Sequence, residues 1–289
     1  MIRAIIQAGF GNQLFQYATG YALAKRLRQG LVLDISFFDY MKGSNADNIR
    51  VNNLNLLQLD NPEFVSTPQS YWKYRYGVLL RKTPFWRLLG FSSRVVWEDV
   101  PNCRKFQAEL FNNIERYNDF EIYGFWQNTM YFKDVIADLK RQFVPNYQLT
   151  GKVSNLNSEI SSSANSVGVH IRRGDFVRLG WNKGADYYRT AIDIMRQELI
   201  KPYFYICTDD KTWAYEQFKS DQDVRIIDIT TATRDIDEFF LLSKCHHQII
   251  SESTFGWWAA YLNLYTDKRI IIPADAQGEI FNQDNWTKI

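Results

Sequence analysis

A chain of 289 residues, 46% hydrophobic and 23% charged, is long enough for one large or two medium domains with full-sized cores. Its formal charge of +2 argues against whole-molecule attraction to nucleic acid, and three scattered cysteines (Cys103, Cys207, Cys245), never in a CxxC pair, argue against a zinc site and fit a reducing compartment. No leader-like apolar region with a small-residue cleavage site opens the chain and no window offers eighteen apolar residues, so the expectation is a soluble, cytoplasmic protein.

In chain order, "IRAIIQA" reads as a strand, "GFGNQ" as a glycine turn and "LFQYATGYALAKRL" as a helix closed by Gly30 at its C′ position. "LVLD" is the next strand. The stretch imitates a dinucleotide fingerprint, with Gly9-x-Gly11 and Asp34 about twenty residues on. Leu14, however, stands where the helix-packing glycine is required, and the amide pair Asn12-Gln13 fills the turn. An NAD-dependent oxidoreductase is therefore a competing class but not the leading one. From residue 36 to 123 apolar periodicity is poor. Within it, residues 64–97 carry no Asp or Glu but hold Lys73, Arg75, Arg81, Lys82, Arg87 and Arg94 among many aromatics. That composition suits contact with an anionic bilayer; an aromatic-packed helix pair with a solvated basic face is the simpler reading. "GFWQNTMYFKD" reads as a strand end with Asn128 or Thr129 capping a short helix. The Ser/Asn-rich stretch 154–166 is the expected domain boundary, giving domains 1–153 and 154–289.

The second half alternates strand and helix. Val167, Val169 and Ile171 alternate as in a half-buried strand, and Tyr188, Ile192, Met195 and Leu199 recur at helical spacing over 186–199. "PYFYICTDD" is a strand ending near Thr208. A helix with Trp213 and Phe218 follows, then the strand "VRIID". "RDIDEFFLLSKC" is a helix with acids in its first turn and Lys244 in its last, as the helix dipole prefers. "HQIIS" is a strand, "TFGWWAAYLNLY" a helix and "KRIIIP" the last strand. Such alternation builds a parallel sheet covered on both faces.

Three polar clusters fall at the carboxyl ends of three of these strands: "RRGD", "TDD" and "SEST". Ligands of open α/β sheets bind at those ends, so the clusters read as one site. Arg172, Arg173, Ser253, Thr254 and the helix start after Ser253 match a diphosphate, with guanidinium forks and backbone N–H groups for its oxygens. Asp209 and Asp210 read as acceptors for a ribose or a base.

These residues also carry a resemblance. "GFGNQLFQYATGYALA", "VGVHIRRGDF", "CTDD" and "SKCHHQIISESTFGWWAAYLN" resemble, in order, the motifs of the bacterial α-1,2-fucosyltransferases, glycosyltransferase family 11; "GFWQNTMYF" resembles the segment between that family's domains. The resemblance spans nearly the whole chain and is weak over about 36–120. It implies an α/β fold of the GT-B kind, two Rossmann-like domains facing a cleft: an acceptor-side domain followed by one that binds GDP-fucose. It implies GDP-fucose as donor, a galactoside of a glycan as acceptor, inversion at the sugar carbon and no required metal or other cofactor.

On this resemblance Arg172 stabilises the charge growing on the departing GDP, and Arg173 shares that role or positions the loop. Asp175 is either the base that deprotonates the acceptor hydroxyl or an ion-pair partner. Asn12, beside Gly11, resembles the amide that reaches the sugar and β-phosphate; the alternative is a helix cap. His170 lies on the opposite sheet face from Val169 and Ile171, as a nucleotide contact or a core histidine. Ser253, Thr254 and Phe255 match the loop that receives phosphates and base. Glu252 departs from the family pattern, which implies a smaller amide there. Trp257 and Trp258 read as core. The Asp235-Ile-Asp237 and Asp221-Gln-Asp223 pairs have the form of a metal-binding DxD, but they fall at a helix start and in a polar loop, and His246-His247 lacks partners at ligand spacing. A catalytically silent sugar-nucleotide- or glycan-binding protein is the remaining alternative.

Overall fold

The computed structural model describes residues 1–41, 50–72, 76, 94–114 and 118–289. The chain divides into two compact units, Met1–Phe143 and Val144–Ile289. The boundary thus lies ten residues before the one expected at 153/154. The Ser/Asn-rich stretch is largely the helix Gly151–Ser162, whose Val153, Leu156 and Ile160 recur at helical spacing and are buried. Three apolar residues on one face suffice to dock an otherwise polar helix, and composition alone does not display them.

The first unit holds β1 (Ile2–Ile5), β2 (Leu31–Asp34), β3 (Glu63–Val65), β4 (Arg94–Trp97) and β5 (Phe120–Tyr123). They form a parallel sheet in the order β3-β2-β1-β5-β4 among the described residues. The helix Phe10–Leu27 packs on it where Gly20 approaches Ala4, Leu31 and Ile122, while its buried Phe15 and Tyr17 pack against Phe132 and Phe143. Gly9 is its N-cap, so Gly11, Asn12 and Gln13 form its first turn instead of preceding it. It ends at Leu27, not at Gly30: Arg28 takes φ +53°, and the N–H groups of Arg28 and Gln29 close onto the carbonyls of Lys25 and Ala24. Asn128 does cap a short turn, accepting from the Met130 N–H at 2.9 Å. Of the basic aromatic segment 64–97, Lys73, Arg75, Arg81, Lys82 and Arg87 lie outside the described residues.

The second unit holds β6 (Ser166–Ile171), β7 (Tyr203–Thr208), β8 (Val224–Ile226), β9 (His247–Ile250), β10 (Ile270–Ile272) and β11 (Trp286–Lys288). All registered pairs are parallel, in the order β8-β7-β6-β9-β10-β11. This is the doubly wound 3-2-1-4-5-6 order, whose direction of growth reverses between β6 and β9. β6 is buried on both faces, not one. Val167, Val169 and Ile171 pack on Tyr188, Ile192 and Met195 of the helix Ala185–Glu198, while Gly168 on the other face meets Leu242 and Cys245. Two expectations shift. "KRIIIP" is not the last strand: β11 adds a three-residue, largely exposed edge, too short to show a period. The helix after Ser253 stops at Leu262 because the Asn263 amide turns back to donate to the carbonyls of Cys245 and His246, at 2.9 and 3.1 Å.

Candidate functional site

The register of the second sheet answers why a buried strand ends in two arginines. β6 pairs β7 with Ile171 opposite Thr208, so the next residues face each other, Arg172 against Asp209 and Arg173 against Asp210. Arg172 donates from Nη1 to Asp209 Oδ2 at 2.8 Å and from Nη2 to Asp175 Oδ1 at 2.5 Å. Arg173 donates from Nε to Asp210 Oδ2 at 3.0 Å and lies 4.2 Å over the Trp213 ring. Asp209 also accepts the Arg173 backbone N–H at 2.8 Å, and Asp210 caps the helix Lys211–Phe218 through the Trp213 N–H at 3.1 Å. The two aspartates read as ribose or base acceptors therefore hold the arginines in place. Gly174 is required by close approach, since a Cβ there would sit 2.6 Å from Asp209 Oδ2. A guanidinium has five N–H donors, so two carboxylate contacts leave Arg172 with donors for further oxygens.

Across the reversal point, β6 pairs β9 with His170 opposite Ile250. This brings the loop Ser251–Ser253 beside the arginine turn. Ser253 caps the helix Thr254–Leu262, accepting from the Phe255 N–H at 3.3 Å. His170 is buried, with Nδ1 3.1 Å from Ser251 Oγ and its ring stacked on Phe255 at 5.1 Å between centroids. Burial, then the charge of Arg172, lowers its pKa to about 3, so it stays neutral. A Cβ on Gly256 would sit 2.7 Å from His170 Nδ1, so this packing needs a glycine. Trp257 and Trp258 are fully buried core residues. Arg172, Arg173, Asp175, Asp209, Asp210, His170, Ser253, Thr254 and Phe255 thus gather around the ends of β6, β7 and β9. The ensemble sets two guanidiniums, braced by three carboxylates, beside a capped helix N-terminus at a topological switch point.

The first sheet has its own reversal, between β1 and β5. There Asn12, buried Gly11 and Gln13 open the long helix. Asn12 Oδ1 accepts from Gln127 Nε2 at 2.8 Å. Gln13 spans Ala8, Val51 and Asn53, with its nitrogen donating to the Ala8 and Val51 carbonyls at 3.1 and 2.8 Å and its oxygen accepting the Asn53 N–H at 3.0 Å. Arg50 lies against Gly9 at the helix start. Asp34 is structural, bonded to Ser36 and to Arg3, which leaves no ribose-binding acid of the dinucleotide kind.

Residues 97–289 match the family model described as glycosyl transferase family 11. The chain belongs to glycosyltransferase family 11. It is therefore a glycosyltransferase. Over 98% of its length this family 11 chain is 26% identical to the O-antigen biosynthesis glycosyltransferase WbnK of Escherichia coli, covering 99% of that protein. It is 29% identical to an α-1,2-colitosyltransferase of Escherichia coli, covering 92% of this chain and 88% of that one. It is 30% identical to galactoside 2-α-L-fucosyltransferase SEC1 of Bos taurus, covering 87% of this chain and 61% of that one. Among solved structures it resembles the α-1,6-fucosyltransferase NodZ soaked with GDP-fucose, with a TM-score of 0.53, 15% identity and 91% of each chain covered. A mutant Arabidopsis thaliana FUT1 in complex with GDP gives a TM-score of 0.52 at 12% identity over 96% of this chain and 71% of that one. At such identities the likeness is one of fold, and that fold is the GT-B architecture.

In this family 11 chain both DxD pairs have structural partners. Asp237 accepts from Tyr147, Thr231 and Thr233 at 2.7 to 2.8 Å, and Asp223 pairs with Arg196 at 2.7 Å. His246 stacks on Tyr265 and bonds Asp267 at 2.7 Å. Sequence reading missed four contributors. Trp213 stacks on Arg173, and its offset of three from Asp210 was the available signal. Tyr187 ties β9 to β10 through the Ile250 and Ile271 carbonyls, at 2.7 and 3.3 Å. Arg50 approaches the start of the first long helix from the aperiodic stretch 36–123, and Gln127 from "GFWQNTMYF", which was singled out without a role for this residue.

Proposed function

We propose that this protein transfers L-fucose from GDP-fucose to the 2-hydroxyl of a galactoside in a glycan acceptor, inverting the sugar carbon, without a metal ion. The observation that carries this reading is the Arg172 guanidinium, aimed by Asp175 and Asp209 at the switch point beside the capped N-terminus of Thr254–Leu262. In the proposed step the acceptor oxygen attacks C1 of the sugar, the C1–O bond to the β-phosphate breaks, and GDP leaves with the bonding electrons. Arg172 and the helix N-terminus meet the charge that develops on the phosphate, which supplies the stabilisation a divalent ion would otherwise give. Arg173 is anchored by Asp210 and Trp213 and holds the loop while facing the same anion. Asp175 is paired with Arg172 at 2.5 Å, so its first role is to orient the guanidinium. It takes the acceptor proton only when that pair loosens on donor binding. Neutral His170 and Phe255 form a flat wall for the guanosine part, Asp209 and Asp210 keep the arginines in register, and the family resemblance supports Gly11 and Asn12 as donor contacts.

The name of the colitosyltransferase relative supports including other deoxysugars in the test. The protein is incubated with a galactoside oligosaccharide and GDP-fucose or a panel of other GDP-sugars, and product linkage is determined. An α-1,2-fucosylated product confirms the reading. Transfer of a different sugar corrects the donor. GDP binding without turnover would leave a sugar-nucleotide-binding protein.

A further inference from the structure

The first unit contains a relay of amides whose polarity is fixed. Arg104 donates from Nε to Gln127 Oε1 at 3.2 Å, and Gln127 Nε2 donates to Asn12 Oδ1 at 2.8 Å. An arginine can only donate. The oxygen of Gln127 must therefore face Arg104, its nitrogen must face Asn12, and Asn12 must turn its own oxygen inward. The Asn12 NH₂ group is left pointing away, with no partner among the described residues. A lone asparagine side chain turns over readily and would present oxygen or nitrogen alike; this one cannot without breaking a hydrogen bond.

The parts that carry the relay are held firmly. Glu98 is fully buried and accepts the N–H groups of Phe125 at 2.6 Å and Trp126 at 3.0 Å, the residues immediately before Gln127. Trp126 is buried and takes φ +56°, a left-handed backbone that a tryptophan adopts only when its surroundings impose it. On the helix side the Asn12 N–H bonds the Gly9 carbonyl at 2.9 Å, and Gln16, one turn on, donates to the Gly124 carbonyl at 3.0 Å. The β5 loop and the helix start are thus stitched together at Asn12 by Gln127 and one turn on by Gln16.

We propose that Arg104 and Gln127 are positioning residues that fix Asn12 as a hydrogen-bond donor to an oxygen of the sugar-nucleotide. The proposal rests on the reading that Asn12 contacts the donor substrate. A reversed amide would turn a carbonyl oxygen toward phosphate or hydroxyl lone pairs and repel them.

Gln127→Glu tests it. A carboxylate still accepts from Arg104, now as an ion pair, so the fold is kept, but it can only accept from Asn12 and reverses that amide. The relay predicts a fall in kcat on the order of 10–10², with thermal midpoint not lowered. Gln127→Met merely frees the amide and should lose less. In an Asn12→Ala background, Gln127→Glu should cause no further loss, because coupled residues are not additive. The proposal is overturned if Gln127→Glu stays within about twofold of wild type, if its loss persists in full beside Asn12→Ala, or if Gln127→Met is the worse variant. If Asn12→Ala alone leaves the rate unchanged, the donor contact of Asn12 itself fails, and the proposal fails with it for that separate reason.

Discussion

Replacing Arg172 with lysine separates a geometric role from a merely electrostatic one. The guanidinium bridges Asp209 at 2.8 Å and Asp175 at 2.5 Å, with the side chain 20% exposed. A lysine carries one compact ammonium; it cannot hold both carboxylates or offer a planar fork to two phosphate oxygens. Two magnitudes then diverge. Removing one preorganised donor to developing charge lowers kcat by about 10²–10³, or about 2.7–4 kcal/mol. Partly exposed ion pairs contribute at most about 1 kcal/mol each to folding, which in a unit of this size shifts the thermal midpoint by about 2–4 °C per kcal/mol. Arg172→Lys should therefore fall nearly as far as Arg172→Ala in kcat/KM while melting close to wild type. Steady-state transfer from GDP-fucose, with calorimetric melting in parallel, measures both. A lysine variant retaining more than about a tenth of wild-type kcat/KM would refute the bidentate role. An equal loss in activity and melting would show that the pair serves the fold instead.

Burial lifts the Glu98 carboxyl to about 7 against the pull of the Trp126 and Phe125 N–H groups. Its folded value lies above its unfolded one, so its contribution is fully present below the unfolded pKa and is lost as pH rises through about 7. Glu98→Gln should flatten that part of the fall in thermal midpoint between roughly pH 5 and 8, leaving the share of Glu238, which burial also lifts to about 7; an unchanged slope contradicts the assignment. Gly256→Ala would push a methyl to 2.7 Å from His170 Nδ1 and 3.2 Å from Ile250 Cβ, so it should destabilise by about 1–3 kcal/mol and weaken GDP binding, and an unaffected melt together with unaffected GDP affinity would show that the ring can move aside. Transfer should survive excess EDTA; loss on chelation, restored by manganese or magnesium, would assign the leaving-group charge to a metal instead.

The doubly wound half was legible because its elements are long and punctuated. Tyr188, Ile192 and Met195 mark a helix by spacing, and β6, β7 and β9 each run into a polar cluster that a buried strand has no packing reason to carry. The first unit was not legible over 36–123. Its β3 and β4 are no shorter than β8, β9 and β10, but the sequence around them carries no helical period to frame them. The boundary was misplaced because serine and asparagine outnumber the three buried apolar residues of Gly151–Ser162, although it is those three that dock the helix.

The site was legible in membership but not in assignment. Asp209 and Asp210 were found as polar residues at a strand end, yet only the pairing of Ile171 with Thr208 reveals that each faces an arginine. In isolation an aspartate beside a nucleotide site reads as an acceptor for ribose; opposite a guanidinium it is a brace. The same holds for Asn12, whose neighbours come from two remote segments, Gln127 directly and Arg104 through it. Which end of an amide faces a ligand depends on the first residue in the chain that can only donate. That residue is an arginine 92 positions away from Asn12 with no spacing to betray it. Residues proposed to meet the anion are forced by their own chemistry into recognisable types. Residues that aim them are constrained only by what they touch, and they become visible once the strands are in register.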